Sequence, residues 1–360
     1  MNGFRHLNTA ALILCFVVVV FGAFVRLSDA GLGCPDWPGC YGHVGVPDAP
    51  HEVTAAEQNY PQRPVEAHKA WKEMIHRYLA TTLGALITAM ALMSVFLRRE
   101  PLPHVLPWLL LGTVLMQGAL GAFTVLWQVN PLTVTGHLLT GLLTLSLLLL
   151  MRLRIAFPRP DGAASAAVER EARNEREAWA RIQDARSEET AAVVTPPRLI
   201  KYARWVLVLV VLQIFLGGWT SSNYAALACP DFPTCHGSYL PKTDVREAFT
   251  MWRGLGINYE YGVLDNRARV TIHFFHRLGA MVVTAALLLL GAWLILKGGA
   301  PLWRRLGAAV LAALTLQIAI GISIVKLQLP LLLADMHNAG AAVLLMTLVT
   351  LNFFAWNQRS

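Results

Sequence analysis

The chain alternates between long runs without charge and short polar stretches, and the run lengths fix its class. Runs of about 20 apolar residues, enough to cross ~30 Å of hydrocarbon as a helix, begin near Thr9, Ala70, Val105, Leu132, Trp205, Val270, Leu306 and Leu331. The pattern predicts an all-α integral membrane protein with eight transmembrane helices. Composition agrees: of 360 residues, 55% are hydrophobic and only 14% charged, with a mean hydropathy of +0.48, outside the range of ordinary soluble domains. The first run follows Arg5, as a secretory signal would, but it is long and no small-x-small cleavage site follows, so it reads as a span.

An internal repeat divides the chain. Residues 22–42 read GAFVRLSDAGLGCPDWPGCYG and residues 217–237 read GGWTSSNYAALACPDFPTCHG, an offset of 195. Further on, Gln117, Gly121, Val125, Gln128 and His137 align with Gln317, Gly321, Val325, Gln328 and His337 at an offset of 200, so the second outer loop carries five extra residues. Each half holds an even number of spans, so the halves run parallel, with a pseudo-twofold axis expected along the membrane normal. Two four-helix bundles, residues 1–151 and 201–360, are expected around a linker over 152–200. That linker is rich in Ala, Glu and Arg, with Glu and Arg at helical spacing such as Glu169 and Arg173. It cannot form a core; it reads as a cytoplasmic connection, with a partner-docking surface as the alternative.

Charge sets the orientation. Arg98, Arg99, Lys297, Arg304 and Arg305 lie on one face with Arg5 and Arg359, which places both termini in the cytoplasm by the positive-inside rule. The long loops over 27–69 and 222–269 then lie outside. The net charge of +8 is mainly a topology signal, and no compact basic patch suggests a nucleic-acid partner. Cys34 and Cys40, and likewise Cys229 and Cys235, fall in the outer loops, where an oxidising compartment favours disulfides. A reactive dithiol and a shared zinc site are the alternatives. Cys15, inside the first span, reads as a packing residue.

Histidines carry the chemistry. His76 and His276, and His137 and His337, are pairs 200 residues apart, each about six residues inside an apolar run, or ~9 Å below its start at 1.5 Å per residue. Ionisable groups inside a membrane are functional candidates. Two facing helices that present imidazoles at equal depth suit axial ligation of haem iron from both sides, and Gly84, Gly118, Gly121, Gly141, Gly279, Gly321 and Gly340 would leave room for a flat macrocycle. Interhelical hydrogen bonding is the alternative for any one of the four. One turn before His76 lies Glu73, whereas His273 holds that place before His276. A carboxylate beside a haem edge can take protons or steady positive charge, so the first half is the candidate for chemistry and the second for a permanent electron-transfer haem; an interfacial carboxylate paired with Lys72, Arg77 or Lys69 is the alternative for Glu73. Arg77 and Arg277 follow the ligand histidines and are candidates to pair haem propionates, or else to snorkel.

Together, residues 73–77 (Glu-Met-Ile-His-Arg), His137, His276 with Arg277, His337 and the Cys34–Cys40 loop resemble the haem A synthase family, membrane enzymes that convert haem O to haem A for haem-copper oxidases. The resemblance covers essentially all eight spans. It implies that His276 and His337 hold haem b as cofactor, that His76 and His137 bind the substrate haem O, and that Glu73 is catalytic. It also implies oxidation of a ring methyl to a formyl group with oxygen drawn from water, a haem O synthase as source of substrate, and an electron acceptor outside the chain. The setting it implies is the bacterial inner membrane, with the Cys loops periplasmic. The charged linker and His273 depart from the family pattern. Membrane lipid surrounds such a chain, and a homo-oligomer stays open. Two readings from other classes remain: a di-haem b-type cytochrome that only transfers electrons, and a transporter with parallel repeats that uses the histidines as proton relays.

Overall fold

The computed structural model of the protein describes residues 2–96, 104–157 and 197–357. Ten helices lie among them: α1 (Asn2–Leu27), α2 (Pro50–Asn59), α3 (Ala67–Phe96), α4 (Val105–Leu126), α5 (Pro131–Ala156), α6 (Pro197–Ser222), α7 (Val245–Ala248), α8 (Asn266–Lys297), α9 (Pro301–Lys326) and α10 (Leu331–Asn357). All but α2 and α7 are long and apolar enough to cross a membrane, and the protein is an all-helical multi-pass membrane protein. Of the charged linker, residues 158–196 lie outside the described residues, as do Arg98, Arg99 and Arg359.

Several spans start earlier than the apolar runs. Helix α3 opens at Ala67 rather than Ala70, and α8 at Asn266 rather than Val270, because a helix continues beyond the hydrocarbon wherever its polar end can be capped. The Asp265 carboxylate caps α8 by accepting from Ala268 N–H at 2.7 Å. His76 and His276 therefore sit ~14 Å along their helices rather than ~9 Å.

Neighbour relations recur between the halves. Helix α1 packs on α3, α3 on α4, α4 on α5 and α5 back on α1; in the second half α6 packs on α8, α8 on α9, α9 on α10 and α10 on α6. The halves meet through α1 with α10, α5 with α10, and α5 with α6. One apolar core runs through both, from Phe4, Leu145 and Met151 to Leu287, Leu348 and Ala355. Each half closes its last helical pair with a two-residue left-handed turn, Gln128 and Val129 (φ 47° and 52°) or Gln328 and Leu329 (φ 58° and 64°). Pro131 then starts α5 behind its cap Asn130, whose side chain accepts from Leu132 N–H at 3.0 Å. These turns set His137 and His337 six residues into α5 and α10.

The longer second loop reaches over the first half. Tyr259 N–H donates to the Gln128 carbonyl at 3.1 Å, the Trp127 and Trp252 rings meet edge-on at 5.6 Å, and Arg63 pairs with Glu260 at 2.7 Å. The five additional residues thus lie in a loop whose contacts tie the second half to the first.

Candidate functional site

The histidine helices lie diagonally across each half. Helices α3 and α5 do not pack directly on each other, nor do α8 and α10, yet His76 and His137 lie near each other, as do His276 and His337. Each ring lies against a glycine of the adjacent helix. A Cβ added at Gly22 would lie 2.7 Å from His76 Cε1, at Gly121 3.1 Å from His137 Cε1, at Gly217 3.3 Å from His276 Cε1 and at Gly321 3.0 Å from His337 Cε1. Any larger residue would push the ring.

Three of the four imidazoles have an unsatisfied nitrogen. The Nδ1 atoms of His76, His137 and His337 are buried without a hydrogen-bond partner, a condition that costs about 1–3 kcal/mol per group if nothing else meets it. Among the described residues, no cluster of three or more His, Cys, Asp or Glu forms a cage for a bare metal ion. Two neighbouring imidazoles without a third ligand, on helices not packed against each other, suit a flat group held between them better than a bare metal ion.

Glu73 is buried and hydrogen-bonded at both oxygens. Its carboxylate accepts from the Cys34 N–H at 3.0 Å and from Arg77 Nη2 at 2.5 Å. A carboxylate offers about four acceptor sites, so two remain. Arg77 also donates to the carbonyls of Asp36 (3.0 Å), Pro38 (3.1 Å) and Gly39. Arg277 holds the second loop in the same way, donating to the carbonyls of Cys229, Asp231 and Thr234, each at 2.8 Å, and to His273 Nε2 at 3.2 Å. Each guanidinium has five N–H groups, and four are used here. In this structure both arginines therefore clamp the outer loops.

The loops they clamp are near copies. Cys34 and Cys40 stand at disulfide distance, 2.03 Å, and Cys229 and Cys235 at 1.97 Å; Cys15 is free and buried. The Asp36 carboxylate accepts from Tyr41 and Gly42 N–H at 2.6 and 2.7 Å, and Asp231 accepts from His236 and Gly237 at 2.6 and 2.9 Å. The Thr234 hydroxyl and these two N–H groups hold the Asp231 carboxyl well below its usual range. Burial pushes the Tyr41 phenol up to about 12, so it remains a donor to the Pro64 carbonyl at 3.0 Å.

The glycines divide by role. Gly121 and Gly321 face the candidate ligands His137 and His337, whereas Gly141, Gly279 and Gly340 make room for the amides of Gln117, Gln213 and Gln317, and Gly84 and Gly118 face open space. Gly22 and Gly217 were readable only from the 195-residue offset, which pairs them. Gln213 has no glutamine at its aligned position, and nothing in the pattern marks it.

Two diagonal imidazole pairs in an eight-span bundle, one of them with a buried carboxylate one turn away, make a candidate site for flat metal-centred groups in a multi-pass membrane protein. The sequence matches the family described as cytochrome oxidase assembly protein, COX15-CtaA, over residues 5–349, and the chain belongs to that family. It is 42% identical over 349 residues to the Heme A synthase of Shewanella oneidensis, covering 97% of this chain and 96% of that protein. It is also 28% identical over 371 residues to the Heme A synthase of Caulobacter sp. (96% and 93%), and 23% identical over 296 residues to that of Shouchella clausii (82% and 77%).

Proposed function

We propose that the protein is a haem A synthase, which oxidises a ring methyl of haem O to a formyl group. The observation that carries this reading is that only one of two matched imidazole pairs has a carboxylate one helical turn away. In this reading His76 and His137 hold the substrate haem O, and His276 and His337 hold haem b as the resident cofactor. A haem in the second half supplies one-electron transfer. The remaining work falls to side chains: Glu73 holds negative charge beside the substrate edge and receives protons as the methyl carbon gains a water oxygen, and Arg77 fixes that carboxylate against the Cys34 loop. The likeness to proteins named Heme A synthase supports the same assignment and speaks against a cytochrome that only transfers electrons.

The two halves, residues 1–151 and 201–360, act as substrate and cofactor bundles in this proposal, joined by the linker over 152–200. The protein resides in the bacterial inner membrane with both termini cytoplasmic and the Cys loops periplasmic; it receives haem O from a haem O synthase and passes electrons to an acceptor outside the chain. Expression in a host that makes haem O but not haem A tests the reading. Haem A should appear with the wild-type chain; its absence, with the protein present in the membrane, overturns the proposal.

A further inference from the structure

Three of the four ligand-candidate histidines are tied by a glutamine from the neighbouring helix, and the fourth is not. Gln117 Nε2 on α4 donates to the His137 carbonyl at 2.9 Å, Gln213 on α6 to the His276 carbonyl at 2.9 Å, and Gln317 on α9 to the His337 carbonyl at 3.0 Å. A helix carbonyl has a second lone pair free for such a bond. Each amide is seated over a glycine one turn beyond its histidine, Gly141, Gly279 or Gly340, where a Cβ would crowd it. The amide oxygens of Gln213 and Gln317 are buried without partners, so what these two side chains contribute is their grip on the histidine turn. Gln213 Nε2 also lies 3.0 Å from His276 Nδ1. Gln117 is anchored further by the Thr140 hydroxyl, which donates to its Oε1.

At His76 the module is missing. Gly22 faces His76 as Gly217 faces His276, so the register is preserved, but the position matching Gln213 at an offset of 195 is Val18 and the position matching Gly279 at an offset of 200 is Leu79. Among the described residues no side chain donates to the His76 carbonyl. The asymmetry follows the division of labour: both turns are tied in the half proposed to keep its haem, and one of two in the half that must release a product.

We infer that Gln117, Gln213 and Gln317 are positioning residues that lock three ligand-bearing helix turns, and that His76, left without one, is the imidazole that lets go of iron when product leaves. The inference rests on the haem ligation proposed above. A bis-histidine haem admits carbon monoxide only when one imidazole detaches, so the apparent carbon monoxide affinity scales with the detached population.

Titration of the dithionite-reduced, purified full-length protein with carbon monoxide tests it, followed by absorbance. Two phases are expected in the wild type, the tighter belonging to the first half by at least ~5-fold, the effect of one lost hydrogen bond. Gln213→Leu and Gln317→Leu, which keep volume and remove the donor, should each move the weaker phase ~5-fold toward the tighter and shift the reduction potential of that haem. Val18→Gln with Leu79→Gly, which builds the fourth tie, should move the tighter phase the other way and raise the haem retained through purification. Variants that hold haem with both phases and potentials unchanged would overturn the inference while leaving haem ligation intact. A wild type without haem would overturn both. If the double variant does not accumulate, the two glutamine variants decide the question.

Discussion

Glu73 and His273 occupy the same place in the two halves: the backbone N–H of Cys34 points at the Glu73 carboxylate at 3.0 Å, and that of Cys229 at His273 Nδ1 at 3.2 Å. The arginine one turn on reaches the same side chain from the other side, Arg77 at 2.5 Å and Arg277 at 3.2 Å. A carboxylate accepts both donors at once. A neutral imidazole accepts at one nitrogen only, so His273 satisfies either Cys229 or Arg277 and offers no negative charge to a neighbour. The two halves share a scaffold at this place and differ in whether it holds a carboxylate or a neutral imidazole.

Glu73→Gln keeps the shape and removes the charge. It should lower haem A formation about 10²–10⁴-fold, the usual weight of a positioned acid–base group, while haem remains bound. His273→Gln should leave haem A output nearly unchanged. The ratio of haem A to haem O extracted from membranes reads both, and equal losses in the two variants would remove the distinction between the halves.

Arg77→Lys tests the loop clamp. A lysine cannot span the three carbonyls and the carboxylate that Arg77 holds, and each hydrogen bond from a charged group that is lost costs about 1.5–3 kcal/mol. Proteolysis within residues 30–45 should accelerate, and the thermal midpoint in detergent should fall. If haem content drops with no change in proteolysis, Arg77 serves haem directly rather than the loop.

The glycine contacts predict a graded series. Gly22→Ala places a methyl 2.7 Å from His76, whereas Gly217→Ala places one 3.3 Å from His276. Overpacking of this kind costs about 1–3 kcal/mol, so Gly22→Ala should displace the first-half haem and broaden its spectrum, and Gly217→Ala should disturb the second-half haem distinctly less. Electron paramagnetic resonance of the oxidised protein separates the two.

A pH dependence belongs to the second loop. The folded Asp231 carboxyl is held below its ordinary range, so its contribution is present above that range and is lost as pH falls through the depressed value. Hydrogen exchange at the His236 and Gly237 amides should stay slow from neutral pH down through the usual carboxylate range and quicken only in stronger acid. Asp231→Asn should show fast exchange throughout.

Much of this was legible in the chain. Apolar runs separated by charge gave all eight spans, because nothing but lipid accommodates so many. The 200-residue offset between His76 and His276 and between His137 and His337 located both imidazole pairs, and the exchange of Glu73 for His273 marked which half differs. Helix starts were misplaced by about a turn because the helices opening at Ala67 and Asn266 extend past the apolar stretch, the second behind its Asp265 cap. The arginines' loop contacts were not legible for another reason: an Arg beside a candidate ligand histidine looks the same whether its partner is a propionate or a loop carbonyl, and only the fold brings residues 36–39 to Arg77. Gln213 escaped notice because its aligned position is Val18, so the repeat that exposed other pairs concealed this one.

The most direct test of the account is the identity and amount of haem extracted from the purified wild-type protein. The account predicts haem B together with haem O or haem A, approaching one haem per imidazole pair, and a loss of haem B in His276→Ala that spares the other. Protein that is folded and in the membrane yet has no Soret absorbance would contradict it.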